Sequence, residues 1–373
     1  MLAGMRFLLL LLPLASGLLG NVTDTHLHVT NMSLFSYPWA TLNQKCPCAV
    51  PCICDWHLTD YRAATTAAPA DRLVFVEVGL GPADWLREAQ WVQGIIDGGA
   101  SPNPAQAIRA IMAQRPPGFG VPGSSGPDLQ RNLSSLAALR LAHGVRAGAI
   151  DFANASAVEA VLFHFALLLQ NNLRAVDFNV PVTPSVAVGI ARIARALPAL
   201  NLVLDHHGGP PVGGNASQFD EWESAMRELG ALPNVYVKFG GLLQYYKSAQ
   251  KIPTLEQVMP FATAVLDSFP GKAVFERNWF FWCVQLYAAR RGGAFFPRRL
   301  SFAHTAHSPP NSLTPTPRFL RRRFCSNFLV PSNLNGAEIW SEFADAILTK
   351  RGPTHPGERA SVLNDAATKA YHL

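Results

Sequence analysis

The chain has 373 residues, 49% of them hydrophobic and 15% charged, which is typical of a globular protein with a sizeable core in one large domain or two ordinary ones. The formal net charge of +6 is local, because eight arginines and no acidic residue lie between Trp279 and Phe324. Without those eight arginines the net charge falls from +6 to −2, so the charge gives no reason to expect nucleic-acid binding.

The first residues have the pattern of a secretory signal. Arg6 precedes an apolar run over residues 7–12, and small residues follow at positions 15–17. We therefore predict a signal peptide over residues 1–20 and a protein that is secreted or enters the secretory pathway. The apolar run is too short for a membrane span, so no membrane association is expected after cleavage. Sequons compatible with a secreted glycoprotein occur at Asn21, Asn31, Asn132, Asn154 and Asn215.

Residues 22–28, Val-Thr-Asp-Thr-His-Leu-His, are predicted to form the first strand. Side chains alternate along a strand, so His26 and His28 should point to the same side and Leu27 to the other. Two adjacent imidazoles can ligate one metal ion or hold a carbonyl oxygen. Chance spacing in a polar loop is the alternative interpretation, and the apolar strand that carries the pair argues against it.

A dense group of cysteines follows this strand, at Cys46, Cys48, Cys52 and Cys54. In a secreted chain, disulfides within the loop are the first interpretation. A small zinc site is the second, although Cys-x-Cys pairs differ from the usual Cys-x-x-Cys knuckle. Either way, the group is predicted to brace a loop rather than to catalyse a reaction.

Short apolar strands then alternate with longer helical stretches. Strands are predicted at 73–78, 145–152, 175–180, 202–207, 235–239 and 272–275, and helices at 83–98, 157–170, 184–197, 219–229, 254–269, 337–348 and 359–371. This alternation predicts a parallel sheet covered by helices. The strands repeatedly end in polar residues, and the carboxyl ends of the strands of a (β/α)8 barrel converge on one mouth. A doubly wound open sheet is the competing architecture, but the glycine-rich loop typical of it is absent.

The pattern fails from about 279 to 326, where the chain is rich in Arg, Pro and Ser and has no period. We predict a disordered, low-complexity insertion in an otherwise continuous barrel over residues 21–373.

With these motifs in place, the chain resembles the amidohydrolase superfamily, and more closely the branch that includes sugar-acid lactonases and pyrone dicarboxylate lactonases. The resemblance extends from residue 22 to the C-terminus, interrupted by the insertion. It is carried by residues 24–28 with Tyr37-Pro38-Trp39, by 74–77, by Leu204-Asp205-His206-His207-Gly208-Gly209-Pro210, by 234–242 and by 363–371. It implies a (β/α)8 barrel that acts on a small molecule, and it does not specify the substrate or the oligomeric state.

The last strand departs from the family pattern. A Gly-Ser-Asp-Trp-Pro-like run usually ends that strand, and its Asp acts as the general base. Here residues 275–279 read Phe-Glu-Arg-Asn-Trp, with Asn278 at the Asp position. Asn327, beyond the insertion, lies in a second partial match, so either asparagine is a candidate for the barrel position. One hypothesis is that the insertion is translated intron, which sequencing the mature transcript would test.

The candidate site follows from the strand ends and the resemblance. A divalent metal, with zinc first, would be held by His26, His28 and His206, while a metal-free mechanism in which the histidines bind the carbonyl oxygen is the alternative. Catalytic roles are predicted for His206, Glu77 and Asn278, although an amide is no base. Substrate contacts are predicted for Lys238, His207 and Asp177. The alternative interpretation of Lys238 is a position on the barrel rim. Glu77 could instead form an ion pair, and Asp205 could support a neighbouring ligand.

The leading functional hypothesis is a hydrolase that opens a small lactone, such as a sugar-acid or dicarboxylate lactone. Two alternatives remain open. One is a metal-dependent decarboxylase on the same barrel, which a related branch of the superfamily suggests. The other is a barrel that has lost catalysis, which Asn278 and the interrupted last strand suggest.

Overall fold

A computed structural model of the chain describes residues 21–38, 55, 57–66, 69–98, 107–124, 126–148, 150–246, 253–278 and 336–373. Three predicted features lie outside these residues: the signal peptide over residues 1–20, the cysteine-rich loop at positions 46–54, and the insertion at about 279–326 with the neighbouring Asn327.

Eight strands form one sheet in which each strand pairs in parallel with the next along the chain. They are β1 Thr23–Leu27, β2 Arg72–Val76, β3 Ala107–Gln114, β4 Ala142–Ala147, β5 Ala175–Phe178, β6 Asn201–Leu204, β7 Val235–Phe239 and β8 Ala273–Phe275. The first and last strands meet where the Thr25 hydroxyl donates to the Phe275 carbonyl oxygen at 2.8 Å. The sheet is therefore a nearly closed barrel, and the predicted (β/α)8 architecture of parallel strands is confirmed.

Helices connect the strands and cover the outside of the barrel. They are α1 Leu58–Ala64, α2 Trp85–Asp97, α3 Gly126–Ala137, α4 Ala155–Gln170, α5 Pro184–Ala196, α6 Ala216–Gly230, α7 Leu255–Ser268, α8 Gly336–Arg351, α9 Glu358–Ala360 and α10 Ala366–Tyr371. A π-helical turn, Ser361–Asp365, joins α9 to α10. Within the described ranges, no helix is both long and apolar enough to cross a membrane.

Several helices begin at side chains that satisfy their first backbone N–H groups. Asn154 precedes α4 and Thr183 precedes α5, and each accepts a backbone hydrogen bond from the first turn. Asn215 and Thr254 form capping boxes with a glutamine three residues later, at the starts of α6 and α7. Caps of this kind each contribute about 1 kcal/mol to helix stability.

Three elements of the barrel were not predicted, namely the helix α1 after β1, the strand β3 and the helix α3 that follows it. In β3, Ile108, Ile111 and Met112 are spaced as on one face of a helix, with Arg109 and alanines at the other positions. Arg109 is exposed, but residues 110–113 are buried on both faces, so the alternation that reveals a half-exposed strand is missing there.

The core has two layers. A large outer cluster fills the space between the strands and the surrounding helices. A smaller cluster fills the inside of the barrel, where Val74, Met112 and Val203 from the strands pack against Ala366, Ala367, Ala370 and Tyr371. The C-terminal helix α10 therefore enters the interior of the barrel instead of joining the outer layer.

Candidate functional site

His26 of β1 and His28, the residue directly after β1, lie side by side in the barrel mouth, both fully buried. Their Nε2 atoms are 3.0 Å apart and their rings are nearly perpendicular, at 86°. The Nδ1–H of His28 donates to the carbonyl oxygen of Val76 at 2.7 Å, which leaves the Nε2 of a neutral His28 as an acceptor directed at His26. The predicted orientation of the pair therefore agrees with the structure.

His206 joins this pair from a strained turn after β6. The strand was predicted to continue to residue 207, but it ends at Leu204. The four residues from His206 to Gly209 all have positive φ, at 54°, 57°, 67° and 65°. For a residue with a Cβ, this left-handed conformation costs about 1–2 kcal/mol. The turn brings the His206 ring to 4.6 Å from that of His26.

His207 packs toward the end of β7 instead of against the other three histidines, and its role as a substrate contact stays a prediction. Its Nδ1 lies 2.7 Å from the carbonyl oxygen of Gly240, and its ring packs against Phe239 and Trp340. The turn, and not strand alternation, separates it from His206. Burial lowers the pKa of His207 to about 3, so the imidazole is neutral there.

Glu276, directly after β8, links the histidines. One carboxylate oxygen lies 2.8 Å from Nδ1 of His206 and the other lies 2.9 Å from Nδ1 of His26. The family pattern predicted a role at position 278, two residues later, and none for Glu276. The carboxylate that the last strand contributes to this cluster therefore comes from Glu276.

Asn278 lies at that later position and is also buried, with a left-handed φ of 50°. Its Nδ2 donates a long hydrogen bond of 3.5 Å to Gln244, while its buried Oδ1 accepts none from the residues that the structure describes. An amide cannot take a proton from water, so the geometry gives Asn278 at most a hydrogen-bonding role at the mouth.

A layer of buried ion pairs lies among the strands next to the histidines. Lys238 is fully buried, and its ammonium is 2.5 Å from Asp177, 2.9 Å from Asp205 and 3.0 Å from Nδ1 of His26. Lys238 is therefore not on the rim, and its ammonium is already paired with two carboxylates. In this arrangement the polar atoms of Lys238 and Asp177 are paired within the barrel, and their direct contact with substrate stays a prediction.

Arg146, at the end of β4, was missed by the sequence analysis. Its Nε donates to Asp205 at 2.9 Å, and its Nη1 donates to the carbonyl oxygen of Glu77 at 3.0 Å and lies 3.8 Å from the Glu77 carboxylate. Glu77 also accepts the N–H of Gly79 at 2.6 Å. The structure thus places Glu77 in the ion pair that was its alternative interpretation, and it places Asp205 between Arg146 and Lys238.

Burial and the neighbouring charges set the protonation states. Burial, together with the Lys238 ammonium, lowers the pKa of His26, and burial with Arg146 lowers that of His28, so both rings are neutral near pH 7. Burial raises the pKa of Asp177 to about 6, although Lys238 opposes this rise. Burial also favours a raised pKa for Asp205, but the positive charges of Lys238 and Arg146 outweigh burial, so the pKa of Asp205 is lowered.

The donors of this cluster fit a divalent metal ion. Ligand atoms of His26, Asp205 and His206 all lie within 4.8 Å of one another. The predicted ligand His28 contacts His26 but is not part of this group, and Asp205 belongs to it instead. His26 can adopt either of two tautomers. In one, its Nδ1–H donates to Glu276, and the Nε2 lone pairs of His26 and His28 face each other, an arrangement that a cation between them would stabilise. In the other, Lys238 donates to Nδ1 of His26, and the Nε2–H of His26 donates to His28. Neutral imidazoles held by carbonyl and carboxylate partners are the usual setting of zinc.

Comparison with known proteins agrees with this geometry. The sequence model of a family described as "Amidohydrolase" matches residues 23–373. An L-fucono-1,5-lactonase of Burkholderia ambifaria is 30% identical over 155 residues, which are 41% of this chain and 51% of that protein. The chain thus spans about half of the length of this curated relative.

Solved structures share the fold. An amidohydrolase from Burkholderia multivorans with bound zinc superimposes with a TM-score of 0.61 at 17% identity, over 95% of this chain and all of the other. Amidohydrolase 2 from Bifidobacterium longum subsp. infantis gives a TM-score of 0.52 at 16% identity, over 95% and 99% of the two chains. At these identities the likeness concerns the fold alone.

Proposed function

Because the chain belongs to the amidohydrolase family, we propose that it is a hydrolase that opens a small lactone at the mouth of its barrel. The observation that carries this proposal is the meeting of His26, His28 and His206 with Glu276 at the carboxyl ends of the strands, where barrel enzymes place their chemistry. The partial match to an L-fucono-1,5-lactonase supports a sugar-acid lactone as the substrate class.

The His206–Glu276 pair is suited to activate water. The Nδ1–H of His206 donates to Glu276, which fixes the tautomer and leaves the Nε2 lone pair to accept a proton from water. The proton then passes from His206 to the alkoxide that leaves when the ring opens. A base oriented by a carboxylate in this way typically contributes 10²- to 10⁴-fold to the rate.

The neutral rings of His26 and His28 lie at the mouth, where they can stabilise charge on the carbonyl oxygen. The Lys238 ammonium lies 3.0 Å from Nδ1 of His26 and supports that ring from within the barrel. His26, Asp205 and His206, with His28 beside His26, would hold a zinc ion, and the Nε2 lone pair of His206 would then bind the metal instead of accepting a proton from water. When bound, zinc supplies Lewis-acid polarisation of the carbonyl and makes water more acidic. Zinc should then raise the melting temperature of the protein, and it should not raise that of His26→Ala, whose ligand set is broken.

The activity test is a panel of sugar-acid and dicarboxylate lactones, with carboxylate formation as the measurement. We expect turnover of at least one lactone by the purified protein and a loss of at least about 100-fold in His206→Ala. His355→Ala, which changes an exposed histidine of the C-terminal segment, is the matched control and should retain full activity.

Two results would contradict the proposal. Release of carbon dioxide from an unsaturated carboxylate, without lactone opening, would show a decarboxylase. No turnover of any substrate by a folded, zinc-loaded protein would indicate a barrel that has lost catalysis.

A further inference from the structure

The C-terminal helix α10 is anchored to the amino-terminal end of the barrel. Asn201, the first residue of β6, donates to the carbonyl oxygens of Lys369 and Ala370 at 2.9 and 3.0 Å. His143 of β4 donates to the carbonyl oxygen of Tyr371 at 2.6 Å. Arg72, at the start of β2, donates to Thr368 at 3.3 Å. These contacts come from three different strands, so they fix both the depth and the rotation of the helix.

The face of α10 that enters the barrel consists of small residues and one large one. Ala366, Ala367 and Ala370 are fully buried against the inner core, and their size lets the helix approach the strands closely. Tyr371, which is also fully buried, extends from this face toward the ion-pair layer.

The Tyr371 side chain touches both members of the central ion pair. Its hydroxyl donates to one carboxylate oxygen of Asp177 at 3.0 Å, while the other oxygen of Asp177 accepts from Lys238 at 2.5 Å. The Lys238 ammonium also lies 5.9 Å from the centroid of the Tyr371 ring, within the range of a cation–π contact. Tyr371 is therefore the link between the end of the chain and the cluster at the mouth.

We propose that Tyr371 is a positioning residue: its hydroxyl and ring hold Asp177 and Lys238 so that the ammonium is directed at His26 and Asp205. The physical reason is geometric. Lys238 has four flexible methylene groups, and its three N–H donors must meet Asp177, Asp205 and His26 together. Asp177 can direct one of these donors only if its own carboxylate is fixed, and the Tyr371 hydroxyl fixes it on the side away from Lys238.

The test compares Tyr371→Phe with Tyr236→Phe. Tyr236 belongs to the same inner cluster and is 7% exposed, but its hydroxyl forms none of the hydrogen bonds found among the described residues. The direct measurement is the ¹H–¹⁵N resonance of the buried Lys238 ammonium, identified by its absence from Lys238→Met. We expect a protected signal in the wild type, a shift or loss of that signal in Tyr371→Phe, and no change in Tyr236→Phe.

The kinetic part of the test rests on the proposed function. With a lactone as substrate, Tyr371→Phe should lower kcat about 10-fold at nearly unchanged KM, because the substrate does not touch Tyr371. Tyr236→Phe should leave both constants unchanged. If the wild type opens no lactone, the proposed function fails, while the ammonium resonance still decides the role of Tyr371.

A second variant covers the case in which Tyr371→Phe does not fold. Asn201→Ala removes two anchors of α10 and leaves Tyr371 intact, and it should broaden the Lys238 resonance. The proposal is overturned if the wild type has no protected Lys238 signal. It is also overturned if folded Tyr371→Phe, or Asn201→Ala in its place, retains the wild-type resonance.

Discussion

The two ends of the barrel interior are built in opposite ways. At the carboxyl end, polar and charged groups are packed together, and His206, His207 and Asn278 have positive φ there, as His372 has next to α10. At the amino end, alanines of α10 pack against aliphatic strand residues, and the polar contacts are hydrogen bonds that anchor a helix. Strain and buried charge persist only where the surrounding structure over-determines them. The comparison indicates that packing and hydrogen bonds at the amino end stabilise the fold enough to keep charged groups buried at the carboxyl end.

The largest loss of stability is expected when Lys238, which lies between these two regions, is replaced. Lys238→Met would leave the carboxylates of Asp177 and Asp205 buried without their shared cation, and breaking a buried ion pair typically costs about 3–5 kcal/mol. We expect a loss of this size in the free energy of unfolding, measured with urea at pH 7. Lys350→Met, at an exposed lysine of α8, is the control and should change little. Equal stability of the two variants would show that the Lys238 ion pairs do not link the regions energetically.

A smaller effect should follow from crowding the mouth itself. Gly241 has a φ of 62°, and a Cβ there would lie 2.4 Å from Nδ1 of His206 and 2.8 Å from the Glu276 carboxylate. Gly241→Ala should therefore separate the His206–Glu276 pair, lowering stability by about 2 kcal/mol and lactone turnover at least about 100-fold.

Gly213→Ala is the matched control for that substitution. Its φ of 79° imposes similar backbone strain, but a Cβ there would meet nothing within 4 Å. It should lose about 1 kcal/mol in stability and no activity. If the two variants lose activity equally, contact with the His206–Glu276 pair is not the cause.

Local patterns in the sequence were sufficient to predict part of the arrangement of the site. The alternation in β1 predicted that His26 and His28 share a face, and polar residues at strand ends predicted which end of the barrel carries the site. Alternation failed after β6, because a run of left-handed residues begins where a strand was expected, and only the fold shows that the chain turns there.

Other site residues depend on tertiary contacts that no local pattern contains. Arg146 lies in a weakly patterned strand, and its role is visible only once Asp205 and Glu77 are placed beside it. Tyr371 belongs to a short helix near the end of the chain, where sequence periodicity indicates an ordinary outer helix. Its entry into the barrel follows from the hydrogen bonds made by Asn201 and His143, which come from distant strands.

The smallest effect concerns the amino end and its dependence on pH. Burial lowers the pKa of His143 below its usual value of 6.5, and its Nδ1–H donates to Tyr371. As the pH falls below 6.5, the unfolded chain takes up a proton at this position before the folded protein does, so stability is lost on acidification. The loss is at most about 1.4 kcal/mol per pH unit, and it is smaller here because the ring is only partly buried. His143→Gln removes the titration, so its unfolding free energy should fall less between pH 7 and pH 5 than that of the wild type. His355→Gln should follow the wild type, and a His143→Gln variant that also does so would place the acid sensitivity elsewhere.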